Sequence, residues 1–221
     1  MWKSGLIAGV LLFALVLNSA DATDYYVDVD SIGGPSDDNG PGAKEKPWKT
    51  LGRAFGSNTP APQAGDTVYV RGGVYKEKAV IMRGGAADKP LVIKAYSGEK
   101  PVIDGEGKCD GIALPGASIG WSTGVLAPTT GAADYVVIDG IIVTNTVSAI
   151  KVVGRKGVVI QNVEVVNFTG MGVYFNSSTE CKLLKSHVHH GRNLRHPHDE
   201  KIHVFDVSAV EFVVHHTHTQ K

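Results

Sequence analysis

YVVIDGIIVTN at Tyr135–Asn145 and GVVIQNVEVVN at Gly157–Asn167 read as copies of one another. Ile138 falls on Ile160, Val143 on Val165 and Asn145 on Asn167, each 22 residues later. The same ruler runs on from Ile160 to Leu183 and from Val165 to Val188, both 23 residues. A period of this length in a Val/Ile-rich chain marks a solenoid whose coils stack, each burying the apolar face of its neighbour. Runs such as Val136-Val137-Ile138 are too short for helices, and no helical pattern separates them. An alternating βαβ sheet is therefore excluded, and parallel strands from successive coils account for the pattern.

Upstream the beat continues less regularly. Asp66–Val70 opens a first coil with Gly72-Gly73 as its turn, and Leu91-Val92-Ile93 follows, with Val70 to Ile93 a step of 23. Val102–Gly105 and Ile112–Leu114 come next, then a Gly/Ser/Thr/Pro-rich excursion over Pro115–Asp134. Ile93 to Ile138 spans 45 residues, which reads as close to two coils. Before the coils, Tyr25–Asp30 alternates as a strand and Ser31–Lys46 reads as a loop. Trp48, Leu51 and Phe55 then share one helical face, with Pro47 suited to a first turn, so a short amphipathic helix is expected to cover the open end of the stack. Asp28, Asp30, Asp37 and Asp38 match no calcium-loop spacing and are expected to be solvated.

The 221 residues fit one domain and carry no formal net charge, so an electrostatic partner such as nucleic acid is not indicated. Residues 1–22 have the form of a secretory signal: Lys3, an apolar run from Leu6 to Leu17, then Ala20-Asp21-Ala22. Its cleavage would place residues 23–221 outside the cytoplasm, as one β-helix domain without a membrane anchor. Cys109 and Cys181 then meet an oxidising compartment. About three coils apart, at about 4.7 Å per coil, they are too far apart for a disulfide and are expected to stay unpaired. Asn167-Phe168-Thr169 and Asn176-Ser177-Ser178 match the glycosylation acceptor pattern.

The residues thus give an all-β, single-stranded parallel solenoid with a short N-terminal capping helix; the resemblance that follows implies that this is a right-handed parallel β-helix. Several further stretches carry a family resemblance. They are Lys46–Leu51, Ala64–Val70, Gly73-Val74-Tyr75, Lys89–Tyr96 and Gly98–Gly105, preceded by Tyr25-Tyr26-Val27 and its Asp/Gly/Asn loop. Together they resemble the start of secreted right-handed parallel β-helix proteins of the pectate-lyase-like superfamily. The resemblance implies a three-sheet prism that acts on polysaccharides, among them calcium-dependent pectate lyases, chondroitin and alginate lyases, pectin hydrolases and uronan epimerases. Calcium is the cofactor it implies. It implies too that further coils and a cap follow Lys221; without them, the last coil, Val210–His218, would expose strand edges and favour end-to-end self-association. The Gly-His-Gly and Arg-Ile-Lys triplets of the hydrolase members are absent.

Alternation around Val163–Asn167 sorts inward from outward residues. Two outward columns result: Ile142, Glu164, His187 and Thr144, Val166, His189. Asn145, Asn167 and His190 form a column expected to point inward and to stack as a structural ladder. All nine histidines follow Ser186, without any metal-ligand spacing, so no metal site is assigned. From Asn167 to Val173 is six residues, but from His190 to Ile202 is twelve. The surplus lies in GRNLRHPHDEK, Gly191–Lys201, and an insertion dense in ionisable groups is where a solenoid builds a binding surface. Glu164, His187, Arg192, Asp199 and Lys201 are the catalytic candidates, with His189 and Arg195 as substrate-binding residues. In a lyase, a base removes the proton beside a uronate carboxylate that Arg or Lys pairs with. In a hydrolase, Asp199 and Glu164 would share acid and base roles. A non-catalytic glycan-binding or surface module, or an inactive fragment, is the alternative to an enzyme.

Overall fold

The strands of this chain follow one another at coil spacing, and each pairs in parallel with the equivalent strand one coil on. The computed structural model describes residues 21–56, 58–108, 111–114, 133–191, 202–205 and 210–214. β1 (Asp24–Val27) and α1 (Leu51–Phe55) precede the first full coil, β2 (Thr67–Val70), β3 (Gly73–Tyr75) and β4 (Ala79–Val80). The second coil holds β5 (Leu91–Ala95), β6 (Pro101–Asp104) and β7 (Ile112–Leu114), and the third β8 (Val136–Asp139), β9 (Ile142–Thr146) and β10 (Ile150–Val153). The fourth holds β11 (Val159–Gln161), β12 (Glu164–Phe168) and β13 (Val173–Asn176), followed by β14 (Cys181–His189), β15 (Ile202–Phe205) and β16 (Val210–Val214).

Three faces result. The first runs β1-β2-β5-β8-β11-β14-β16, the second β3-β6-β9-β12-β14 and the third β4-β7-β10-β13-β15. Strand β14 is long enough to serve both of the first two faces, pairing with β11 through Leu183 and with β12 through Val188. Inside, apolar ladders climb the stack. Val68, Ile93, Ile138, Ile160 and Leu183 are in register and fully buried on the first face. Tyr75, Ile103, Val143, Val165 and Val188 are likewise in register and buried on the second. Each such side chain contributes about 1.5–3 kcal/mol of burial, so the repeated β-branched residues hold the coil together.

The corners use left-handed backbone at five-residue intervals. Tyr135, Gly140 and Asn145 (φ 53°, 74° and 51°) are followed by Gly157, Asn162 and Asn167 (66°, 52° and 56°) and by Glu180, Lys185 and His190 (56°, 48° and 54°). Each such residue turns the chain and resets the in–out alternation. Asn145, Asn167 and His190 are accordingly exposed rather than inward, and Thr146 and Phe168, one position later, fill the interior instead. The expected inward amide ladder is an outward corner column.

Four other expectations change. Strand β5 pairs directly with β8, Ile93 against Ile138, so the 45-residue step is one coil carrying the excursion rather than two coils. Val70 pairs with Ala95, not Ile93, which makes the first step 25 residues. Trp48 precedes the helix: it bridges to Val27 in an extended segment, and Thr50 is the N-cap of α1, its hydroxyl accepting from the Arg53 amide. Trp48, Leu51 and Phe55 are nonetheless all buried and cover the first coil. Among the four N-terminal aspartates, Asp28 is completely buried: it faces Arg71 and accepts from the Gly33 amide at 2.7 Å. Asp38 accepts from the Lys49 and Thr50 amides and the Thr50 hydroxyl.

Cys181 is a buried free thiol whose pKa is raised by burial; Cys109 lies outside the described residues. Of the proposed signal segment, residues 1–22, the first 20 are also outside them, and no helix among the described residues is long and apolar enough to cross a membrane.

Candidate functional site

The second face offers its outer surface as a ladder whose chemistry changes along the axis. Its first outward column runs Val74, Val102, Ile142, Glu164, His187, in register from β3 to β14. The first three are apolar and Val74 is 46% exposed. The last two carry ionisable groups and are exposed. The neighbouring column, Asp104, Thr144, Val166 and His189, ends on a second histidine. Strand spacing of about 4.8 Å gives the first column a length of roughly 19 Å.

Glu164 Oε1 lies 3.2 Å from His189 Nε2, a diagonal contact across β12 and β14. Its direct register partner is His187, whose imidazole stands one pleat away on the same outer surface. His189 Nδ1 in turn meets His190 Nδ1 in a short contact, with the rings edge to face at 4.7 Å between centroids. Three ionisable side chains are thus linked in the order Glu164, His189, His190. Alternation and the period placed Glu164, His187 and His189 on this face. His190 escaped that reading because it required the left-handed corner; the substitution of His for the Asn of the two preceding coils was its only sequence signal.

The position of the insertion follows from the register. Val173 in β13 pairs with Ile202 in β15, a step of 29 residues, whereas Ile150 to Val173 is 23. The surplus of six begins after His190, at the end of the same strand that carries His187 and His189. Arg192, Arg195, Asp199 and Lys201 belong to this segment and lie outside the described residues.

A second surface feature is structural. On the outer side of the first face Tyr26 stacks on Tyr69 at 5.1 Å, and Lys94 lies 5.0 Å over the other side of the Tyr69 ring. Arg71 lies 4.5 Å over Tyr96 while its guanidinium binds Glu99 at 2.7 Å. The faces of Tyr69 are therefore engaged within the ladder. A cleft of about 500 Å³ bordered by Asp38, Arg53 and Pro60 is likewise laced together, since Arg53 donates to the carbonyls of Asp38 and Pro60.

The Pel9A-like, right-handed β-helix region matches residues 31–199. The chain belongs to this family. Pectate lyase PEL9 of Emericella nidulans is 34% identical over 99 residues, 44% of this chain and 22% of the relative. The uncharacterised protein YwoF of Bacillus subtilis is 36% identical over 112 residues, 48% of this chain and again 22% of the relative. The chain thus aligns with about a fifth of the length of either relative. Among solved structures, the lacto-N-biosidase of family GH136 from Eubacterium ramulus superposes with a TM-score of 0.50 at 15% identity, covering 78% of this chain and 35% of that one. XylC in complex with xylose gives 0.54 at 12% identity, covering 83% and 57%. These two likenesses concern the fold.

In this Pel9A-like chain the described residues do not fit calcium. Among them no group of three or more His, Cys, Asp or Glu side chains converges, and the second face presents Glu164 flanked by imidazoles rather than by oxygen donors.

Proposed function

We propose that this protein is an extracellular carbohydrate-active β-helix that engages uronate-bearing polysaccharide along the outer surface of the second face, and that its reaction is lyase-like. The observation that carries this reading is the Glu164–His189 pair, exposed on a strand ladder at the edge of a six-residue surplus in the coil register. Val74, Val102 and Ile142 give the glycan an apolar track for its C–H faces, and Glu164, His187 and His189 give it an ionisable end. The catalytic group is drawn from Glu164, His187, Arg192, Asp199 and Lys201, with His189 and Arg195 binding substrate. The cationic residues after Gly191 suit a uronate carboxylate, and a neutral imidazole suits the removal of its neighbouring proton. The Pel9A-like family match and the likeness to a protein named pectate lyase support the substrate class.

The apolar track also favours a second reading, a glycan-binding surface without turnover. Incubation of the secreted protein with a panel of uronate polysaccharides, with and without calcium, separates the two. Rising ultraviolet absorbance from unsaturated uronate is expected for the lyase. New reducing ends without that absorbance would indicate a hydrolase, and retention without products a binder. No binding and no product on any glycan would sink the carbohydrate reading.

A further inference from the structure

We propose that the cleft beside the capping helix binds the carboxylate of a uronic acid unit through Arg53, at a site separate from the second face. The cleft holds about 500 Å³ between Asp38, Asn39, Thr50, Arg53, Asn58 and Pro60, a volume that suits a small ligand. What marks it is the state of the guanidinium that laces it together. Arg53 lies 4.4 Å over the ring of Trp48, which is itself stacked on Tyr25 at 4.8 Å. Its Nε donates to the Asp38 carbonyl at 2.8 Å and its Nη1 to the Pro60 carbonyl at 2.9 Å. Both acceptors are neutral. Among the described residues no carboxylate forms an ion pair with Arg53, and Nη2 has no hydrogen-bond partner. Arg71, also held over a ring, differs: Glu99 pairs with it at 2.7 Å. Arg53 is thus fixed in plane and position while its charge stays unmatched. A guanidinium held in this way is preorganised for a carboxylate, because little side-chain freedom is lost when the ligand arrives.

The rest of the lining suits a hydroxylated ligand. Asp38 is the acidic member, and its oxygens already accept from the Lys49 and Thr50 amides and the Thr50 hydroxyl at 2.8–3.0 Å, so three donors meet its charge. Asn39 and Asn58 are exposed. Asn39 Nδ2 donates to Asp37 Oδ1 at 3.2 Å, and Asn58 Nδ2 reaches the Arg53 carbonyl at 3.5 Å. Both carboxamides therefore have their oxygens left to accept from hydroxyl groups. One carboxylate with several hydroxyls is the chemistry of a uronic acid. An amino acid would need an uncommitted carboxylate for its ammonium group, and Asp38 is already engaged.

The cleft stands at the opposite end of the stack from the ionisable part of the second face. Trp48, Leu51 and Phe55 cover the first coil, whereas Glu164 lies in β12 and His187 and His189 in β14. A sugar held by Arg53 is therefore bound apart from those side chains, and no bond is made or broken there. The sugar's identity rests on the polysaccharide reading; its carboxylate rests on Arg53 alone.

Titration of the full secreted chain with galacturonate, followed by backbone and indole N–H shifts, tests this. Saturable shifts are expected at Asn39, Arg53, Asn58 and the Trp48 indole. Galactose and the methyl ester of galacturonate, which lack the charge, should bind about 10-fold more weakly or less tightly still, the usual weight of a charged hydrogen bond. Arg53→Lys keeps the charge but not the planar fork and should weaken galacturonate by about 10-fold. Asn58→Ala leaves Arg53 with its ring and both its carbonyls, so it tests the cleft without disturbing the cap; it should weaken binding severalfold. Equal affinity for the methyl ester, wild-type affinity in both variants, or no shift at the cleft residues would overturn the site. The polysaccharide reading fails separately. Galacturonate held in the cleft of a protein that neither retains nor cleaves any uronate polymer would keep the site and remove that reading, and cleavage of a polymer without any shift in the cleft would do the reverse.

Discussion

Lys185 turns the chain with the same left-handed backbone as Asn162 one coil earlier, φ 48° against 52°. Asparagine tolerates that region, whereas a side chain such as lysine costs about 1 kcal/mol or more there. Lys185 is exposed, and it is the position at which β14 leaves the first face for the second, marked by a register shift against β16 between Leu184 and Ser186. Lys185→Asn should therefore raise stability by roughly 0.5–1 kcal/mol. Chemical denaturation of the two proteins checks it, and a lower midpoint in the variant would refute the strain.

Thr146 Oγ1 is buried with no hydrogen-bond partner, at the corner where Thr146 fills the interior in register with Phe168. An orphaned hydroxyl of this kind costs about 1–3 kcal/mol of desolvation. Thr146→Val keeps the shape and removes the hydroxyl, so it should stabilise the fold by a measurable fraction of that amount. Loss of stability in this variant would mean that the hydroxyl is satisfied after all.

The columns of Glu164 with His187 and of Val166 with His189 were legible in the sequence because strands alternate and the 22–23-residue period carries one coil onto the next. The corners were not. Left-handed positions here hold Tyr, Glu, Lys, Asn and His as well as Gly, so no composition rule marks them, and simple alternation sent Asn145, Asn167 and His190 inward. The 45-residue step misled for a different reason: an excursion inside one coil is about as long as a coil, and only strand pairing distinguishes the two.

The Glu99 carboxylate is held below its ordinary range, first by its hydrogen bonds from Arg71 and then by the Gly72 amide. With the folded value below the unfolded one, about 4.3, the contribution is present above that pH and disappears as pH falls through the folded value. Glu99→Gln should thus be less stable than wild type at neutral pH, with the gap closing below about pH 4. Thermal melts across pH 3–7 measure it; a gap that widens in acid would contradict the assignment. With Glu99 about a quarter exposed, the effect is a modest one.

Glu77 joins the capping helix to the first coil, its two oxygens accepting from the Leu51 and Gly52 amides at 2.9 and 3.0 Å. These are helix N-terminal donors with no intrahelical partner, and a carboxylate there also meets the positive end of α1. Glu77→Ala should cost about 1–2 kcal/mol, within the range for lost N-terminal caps. Hydrogen exchange should localise the loss to residues 51–55, while the strands of the later coils keep their protection.

Gly191 couples the interior to the candidate site. A β-carbon at this position would come within 2.3 Å of Phe168 Cε2, and Phe168 is buried. Gly191 follows His190 directly, so a side chain that cannot fit beside Phe168 must push the backbone outward at the corner that holds His190 against His189. Gly191→Ala should cost about 1–3 kcal/mol, as overpacking does. It should also break the His189–His190 contact while leaving Glu164 and His187 in register. The ¹⁵N shifts of His190 would then move while those of His187 stay in place. Unchanged His190 shifts in a destabilised variant would show that the corner yields elsewhere, and that Phe168 does not support the imidazole.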